Sequence, residues 1–110
     1  MSNWIDVCHV DDLQEDSGVC ALVKRQQVAI FYLTRLQAAF AIGNFDPFSQ
    51  TNVLSRGMVG DIKGEPMVAS PMYKQHFNLR TGLCFEDPNV GVPSYPVKIE
   101  NHRVAILMPE

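Results

Sequence analysis

The sequence predicts an all-β fold, a small sandwich or barrel, and three observations carry that expectation. Short runs of β-type residues recur along the chain with turn-forming residues every several positions. Several of these runs alternate apolar and polar residues with a period of two, as a half-buried strand does. One run, V-A-I-F-Y-L, is almost entirely apolar yet far too short for a membrane span, and suits a strand covered on both faces.

Trp4–Val10 (W-I-D-V-C-H-V) alternates large apolar with polar residues and reads as the first strand. Asp11–Gly18 follows as an acidic, turn-rich connection. Val19–Lys24 and Gln27–Thr34 are two strands joined in a tight hairpin across Arg25-Gln26. Gln37–Ile42 has the alanine content of a helical turn, but its shortness and its place after an Arg35-Leu36 turn favour a further strand. From Asn44 to Cys84 the pattern changes. Two loop segments, Asn44–Gly57 and Ser70–Thr81, flank a short hairpin signal around Gly60–Pro66. Asp87–Pro93 is a stiff loop set by two prolines and a glycine. Tyr95–Glu100 and Arg103–Met108 form a last hairpin around Asn101-His102, with period-two repeats at Val97/Ile99 and Val104/Ile106/Met108.

With 110 residues the chain is expected to form one domain, 1–110, long enough to bury a modest core. A net charge of −3 and no basic block argue against nucleic acid, where clustered Lys and Arg must neutralise phosphates. Lys24-Arg25 is the sole adjacent basic pair and reads as a turn. Met1–Leu13 carries Asp6, Asp11 and Asp12 and lacks an apolar signal-peptide core. Three cysteines make no disulfide framework, which fits a reducing compartment. These features together imply a cytoplasmic protein with no membrane partner.

The loops carry a frame. The first ends in Leu54-Ser55-x-Gly57, and the second runs Ser70-Pro71-x-Tyr73-x-x-x-Phe77-Asn78-Leu79-x-Thr81-Gly82. That frame resembles the cluster-binding part of Rieske iron–sulfur proteins, whose first loop carries C-x-H before an L-S-x-G turn and whose second carries C-P-x-H-x-x-x-F-D-x-x-T-G. The resemblance lays the ligand positions on Pro47 and Ser49 in the first loop and on Ser70 and Tyr73 in the second. A Rieske centre takes two thiolates on one iron and two imidazoles on the other. Proline has no side-chain donor, and serine and tyrosine are poor, hard ligands for this chemistry.

One family combines such a frame with missing ligands: the small subunit of the cytoplasmic NAD(P)H-dependent nitrite reductase. The stretches F-D-P-F-S-x-x-N-V-L-S-R-G and A-S-P-M-Y-K-Q-H-F-N-L resemble its hallmark segments, and the similarity spans nearly the whole chain. The resemblance implies a Rieske-like fold: a small barrel-like base from the two ends of the chain, with Asn44–Cys84 as a cluster-less Rieske-type subdomain. It also implies a non-catalytic small subunit, without a cofactor of its own, of an assimilatory enzyme that reduces nitrite to ammonium. FAD, a [4Fe-4S] cluster, sirohaem and the NAD(P)H site are then expected on the large catalytic subunit, the implied partner.

Other chemistry finds little footing. Cys8, Cys20 and Cys84 are far apart, Cys8 and His9 point to opposite faces of their strand, and no metal-ligand spacing occurs. Three small buried thiols are the expectation. Ser49, Ser55 and Ser70 lie in loops but in no nucleophile motif, and Asp46, Asp61 and Asp87 read as turn residues. No glycine-rich phosphate cradle is present. The two loops do hold Phe45, Phe48, Met58, Met72, Tyr73, His76 and Phe77. Two accounts compete for them. Phe45, Phe48 and Tyr73 could fold inward to fill the volume of a cluster, Tyr73 being the best single plug. Alternatively, some stay at the tips as an apolar patch for a partner, rimmed by Arg56, Lys74, Gln75 and Arg80. Interface candidates are thus Phe45, Phe48, Arg56, Met72, Tyr73, Lys74, Gln75 and His76. The alternatives to a reductase subunit are a small Rieske-type [2Fe-2S] electron carrier and a free-standing interaction module for another oxidoreductase.

Overall fold

The computed structural model describes residues 2–109. The strands in chain order are β1 (Ser2–His9), β2 (Ser17–Val23), β3 (Gln26–Leu33), β4 (Ala38–Gly43), β5 (Phe45–Asp46), β6 (Thr51–Asn52), β7 (Met58–Ile62), β8 (Glu65–Ala69), β9 (His76–Asn78), β10 (Ser94–Tyr95), β11 (Val97–Glu100) and β12 (Arg103–Pro109). They pair antiparallel in sheets of order β1-β12-β11, β10-β4-β3-β2, β5-β6 and β7-β8-β9. Short 3₁₀ turns occur at Val10–Asp12 and Leu54–Arg56. No helix among the described residues is long and apolar enough to cross a membrane. The all-β expectation therefore holds, including a strand rather than a helix after Gln37.

The β3–β4 pair lies between two cores. Successive strand side chains point to opposite faces, so Val28 and Ile30 meet Val23, Ala41, Tyr95, Ile106 and Met108 on one side. Ala29, Phe31, Leu33 and Ile42 face the other way, against Leu54, Val68, Phe77, Leu79, Cys84 and Val92. The apolar run of β3 is buried on both faces, as its composition predicts. Each large side chain so buried contributes about 1.5–3 kcal/mol. The second core is what seats the 44–84 segment on the base.

Turn chemistry sets the hairpins and also accounts for the differences from the sequence reading. Lys24 and Arg25 both adopt positive φ (48° and 67°), a two-residue hairpin turn, so the β2–β3 turn lies one residue earlier than Arg25-Gln26. Neither is glycine or asparagine, and the usual marker is missing. Asn101-His102 makes the same kind of turn where expected. Tyr95–Glu100 is not one strand: Ser94–Tyr95 pairs with β4, and Val97–Glu100 with β12. Pro96, which has no N–H to give a ladder, marks the change of sheet. Asp61 lies in β7, in register with Pro66, and not in a turn. The Ser70–Thr81 segment contains a strand, β9, that closes a third ladder on β8.

Candidate functional site

The first loop is anchored by Asn44, the residue after β4, whose side chain is buried. Its amide nitrogen donates to Gln27 Oε1 at 3.0 Å and to Cys20 Sγ at 3.5 Å, and its Oδ1 accepts the Ser55 backbone N–H at 2.7 Å. The Leu54 N–H donates to the Asn44 carbonyl. One asparagine thus fastens the Leu54–Gly57 turn to β2 and β3. The turn also sits too close for a larger residue: a Cβ on Gly57 would meet the Ala69 carbonyl oxygen at 2.2 Å, so glycine permits the turn to approach the end of β8.

Two residues further, Asp46 is fully buried. Its Oδ1 accepts the Phe48 N–H at 2.9 Å, and its carbonyl accepts the Gln50 N–H at 2.7 Å. Its Oδ2 accepts the hydroxyl of Ser70, also fully buried, at 2.5 Å. Ser70 organises the second loop in turn. Its Oγ accepts the Met72 N–H at 3.2 Å, its carbonyl accepts the Lys74 N–H, and its own N–H donates to the Gln75 carbonyl.

At the far side of the second loop, Glu86 holds His76. The His76 N–H donates to Glu86 Oε1 at 2.8 Å, and the ring Nδ1 lies 2.6 Å from Oε2. Partial burial pushes the Glu86 carboxyl up, but the hydrogen bonds from His76 outweigh it and hold it below its ordinary range. The Cys84 thiol donates to the same carboxylate at 3.5 Å, and burial pushes that thiol up. Only Cys84 of the three cysteines is buried. Cys8 is half-buried and Cys20 exposed, so three buried thiols was wrong.

The loop side chains divide. Phe77 is fully buried, and Phe48 packs against it with ring centroids 6.1 Å apart. Tyr73 is 60% exposed and does not plug the interior; Phe45 and Met72 are likewise half exposed, and Met58 more so. The physical reason is the Ser70 hub. It uses the buried space for a hydroxyl–carboxyl pair and turns the next residues outward in a tight loop, with Lys74 at φ +67°. Arg56 and Lys74 are exposed; Gln75 is half-buried, with its side-chain oxygen buried and unpartnered among the described residues. Arg80, assigned to the rim, lies over the Phe40 ring and pairs with Glu65 instead. Pro47 and Ser49 sit half-buried on the first loop, where the Ser49 carbonyl and Oγ accept from the Thr51 hydroxyl.

The sequence reading missed Asn44 and Glu86 and took Asp46 for an ordinary turn residue. Asp46 does make such a turn through Phe48, as Asp87 does through Asn89. The N-x-D-P spacing straight after an apolar strand was the available signal, since Asn and Asp side chains there fold back on the chain.

The positions that the Rieske resemblance assigns to the ligands of a [2Fe-2S] cluster carry neither thiol nor imidazole. The four positions that the frame aligns with ligands hold Pro47, Ser49, Ser70 and Tyr73, and the Ser70 hydroxyl is already committed to Asp46. Cys84 and His76 are both engaged by Glu86. No group of three or more His, Cys, Asp and Glu side chains among the described residues could hold a metal ion.

Sheets of this order, with loops framed this way, define a Rieske-like domain, and residues 3–107 match the Rieske-like [2Fe-2S] domain family. Within that class the chain belongs to the family of NADH nitrite reductase small subunits. It is 46% identical to the NADH nitrite reductase small subunit of Escherichia coli K12 over 96% of this chain and 98% of the relative. A structure described as an NADH-dependent nitrite reductase small subunit from Mycobacterium tuberculosis superposes with a TM-score of 0.93 at 40% identity, covering all of this chain and 98% of the other. A third relative differs in kind: 92% of this chain is similar, at 39% identity, to 10% of an NAD(P)H nitrite reductase large subunit from Klebsiella oxytoca.

Proposed function

We propose that this chain is a cytoplasmic, non-catalytic subunit that carries no cofactor and docks on the large subunit of an NAD(P)H nitrite reductase, supporting it through the face formed by segment 44–84. The observation that carries this reading is the Klebsiella oxytoca relative. There a segment similar to this domain is part of the large subunit's own chain, and two components joined covalently in one organism are natural partners in another. The exposed side chains of Phe45, Met72 and Tyr73 support the choice of face, because aromatic and thioether groups at loop tips are typical anchors. Arg56, Lys74, Gln75 and His76 are the polar residues of the same segment that the reading takes as further contacts, and Phe48 packs on Phe77 within it.

The test is to purify the large subunit with and without this chain. Nitrite reduction or thermal stability should fall when the chain is left out. A large subunit equally active and stable alone overturns the proposal. The description of the family as [2Fe-2S] favours one other reading, an electron carrier. The isolated chain should be colourless and free of iron; reddish-brown protein with stoichiometric iron and acid-labile sulfide would establish the carrier instead. Copurification from cells grown on nitrite should bring down one large flavin- and haem-containing partner, whereas a different oxidoreductase would mark an interaction module of another system.

A further inference from the structure

We infer that Asp46 and Ser70 are positioning residues whose side-chain hydrogen bond locks the two loops to each other and so fixes how Phe45 on the first loop and Met72 and Tyr73 on the second are presented to a partner; that last step rests on the docking reading above. Both residues are fully buried, and 24 positions separate them in sequence. Among the described residues theirs is the only hydrogen bond that crosses between Asn44–Gly57 and Ser70–Cys84. Each end also sets the turn of its own loop. Asp46 takes the N–H groups of Phe48 and Gln50, and Ser70 those of Met72 and Lys74.

The location gives the bond its meaning. Ser70 occupies a position that the Rieske frame assigns to a cluster ligand, and Asp46 precedes another, Pro47. A cluster held from both loops would cross-link them. Here a buried hydroxyl and carboxyl make the cross-link without metal. A buried polar pair of this kind is costly to break, since removing one partner leaves the other desolvated and unpaired. It therefore fixes one loop arrangement where exposed turns alone would admit several.

Native-state amide hydrogen exchange on the free chain tests the lock, with Ser70→Ala, Asp46→Ala and Asp46→Asn compared with the parent protein. Ser70→Ala should speed exchange of the Gln50 and Phe48 amides, which Ser70 itself does not touch, by about tenfold or more. Amides of Ile30 and Phe31 in the base should keep their relative protection. Asp46→Asn, which keeps an oxygen for the Phe48 amide and gains an N–H for the Ser70 hydroxyl, should restore most of the protection that Asp46→Ala loses. If Ser70→Ala speeds only second-loop amides, the two loops are independent and the inference is wrong.

Binding to the purified large subunit provides the functional arm. Ser70→Ala should weaken it about tenfold, while a base variant matched in thermal stability, Ile106→Val, leaves it unchanged. Equal binding by Ser70→Ala and the parent would overturn the positioning role. Failure of the parent protein to bind would refute the docking reading, and the exchange result would still decide whether the lock exists.

Discussion

The base sheets and the 44–84 segment share a core but are secured differently. In the base, β3 sends alternate side chains into two apolar cores, and its buried side chains are aliphatic or aromatic. In the loop segment, apolar residues such as Leu54, Val68 and Phe77 seat the chain on the base, while Asn44, Asp46 and Ser70 shape what lies above. Those three are the only buried polar side chains among the described residues, and all lie in this segment. Apolar burial has no direction and tolerates compensating changes of shape. Hydrogen bonds from buried groups specify direction and penalise any alternative. The contrast teaches that the base supplies most of the stability and the loops spend part of it on a defined surface.

The comparison can be broken most severely at Phe31. Phe31→Ala should cost about 3–5 kcal/mol by opening a cavity between base and loops, measured as a loss in urea unfolding free energy; a cost near that of a surface change would mean that the layers do not share a core. Asn44→Ala comes next, at about 1–3 kcal/mol, because it strands the Ser55 N–H and removes the bond to Gln27. Its signature should be faster exchange in the Leu54–Gly57 turn than in β3; uniform loss of protection would place Asn44 with the base.

A smaller effect is expected from pH. The folded Glu86 carboxyl titrates below its ordinary value of 4.5, so it adds stability above that value and loses it as pH falls through the lowered folded one. The carboxylate is about half exposed, and solvent screening keeps the contribution modest. Glu86→Gln should lower the melting temperature slightly near neutrality and flatten its decline below about pH 4.5. An acid limb identical to the parent's would remove Glu86 from the account. Tyr73→Ala should have the least effect on stability, within about 0.5 kcal/mol, as for an exposed side chain. Its expected consequence is on partner binding alone, which a pull-down with the large subunit reads directly.

The two regions were also unequally legible. Strand β3 announced itself because burial on both faces demands an unbroken apolar run, and no other element explains V-A-I-F-Y-L. The last hairpin was placed correctly by its period-two repeats, though Pro96 in its first arm was a sign of the sheet change that went unread. The loops were harder. An aspartate or serine between prolines and glycines looks the same whether its side chain faces water or a buried partner far away in sequence. Burial at Asp46 and Ser70 is decided by tertiary contact, so single-sequence reasoning saw turns there and proposed Tyr73 for the interior instead. The loop frame itself was visible through its L-S-x-G and T-G turns, whose glycines mark close backbone approaches.

The pairing of β1 with β12 brings Ser2 opposite Pro109, so flanking polypeptide on either side would leave from neighbouring points on one sheet. Adjacent strands lie about 5 Å apart, a gap that a few flexible residues can bridge. The fold should therefore tolerate being spliced into a longer polypeptide as a closed unit, with neither flank stretched. By the same geometry, a circular permutant with these ends joined and the chain reopened at the exposed Lys63-Gly64 turn should retain both cores.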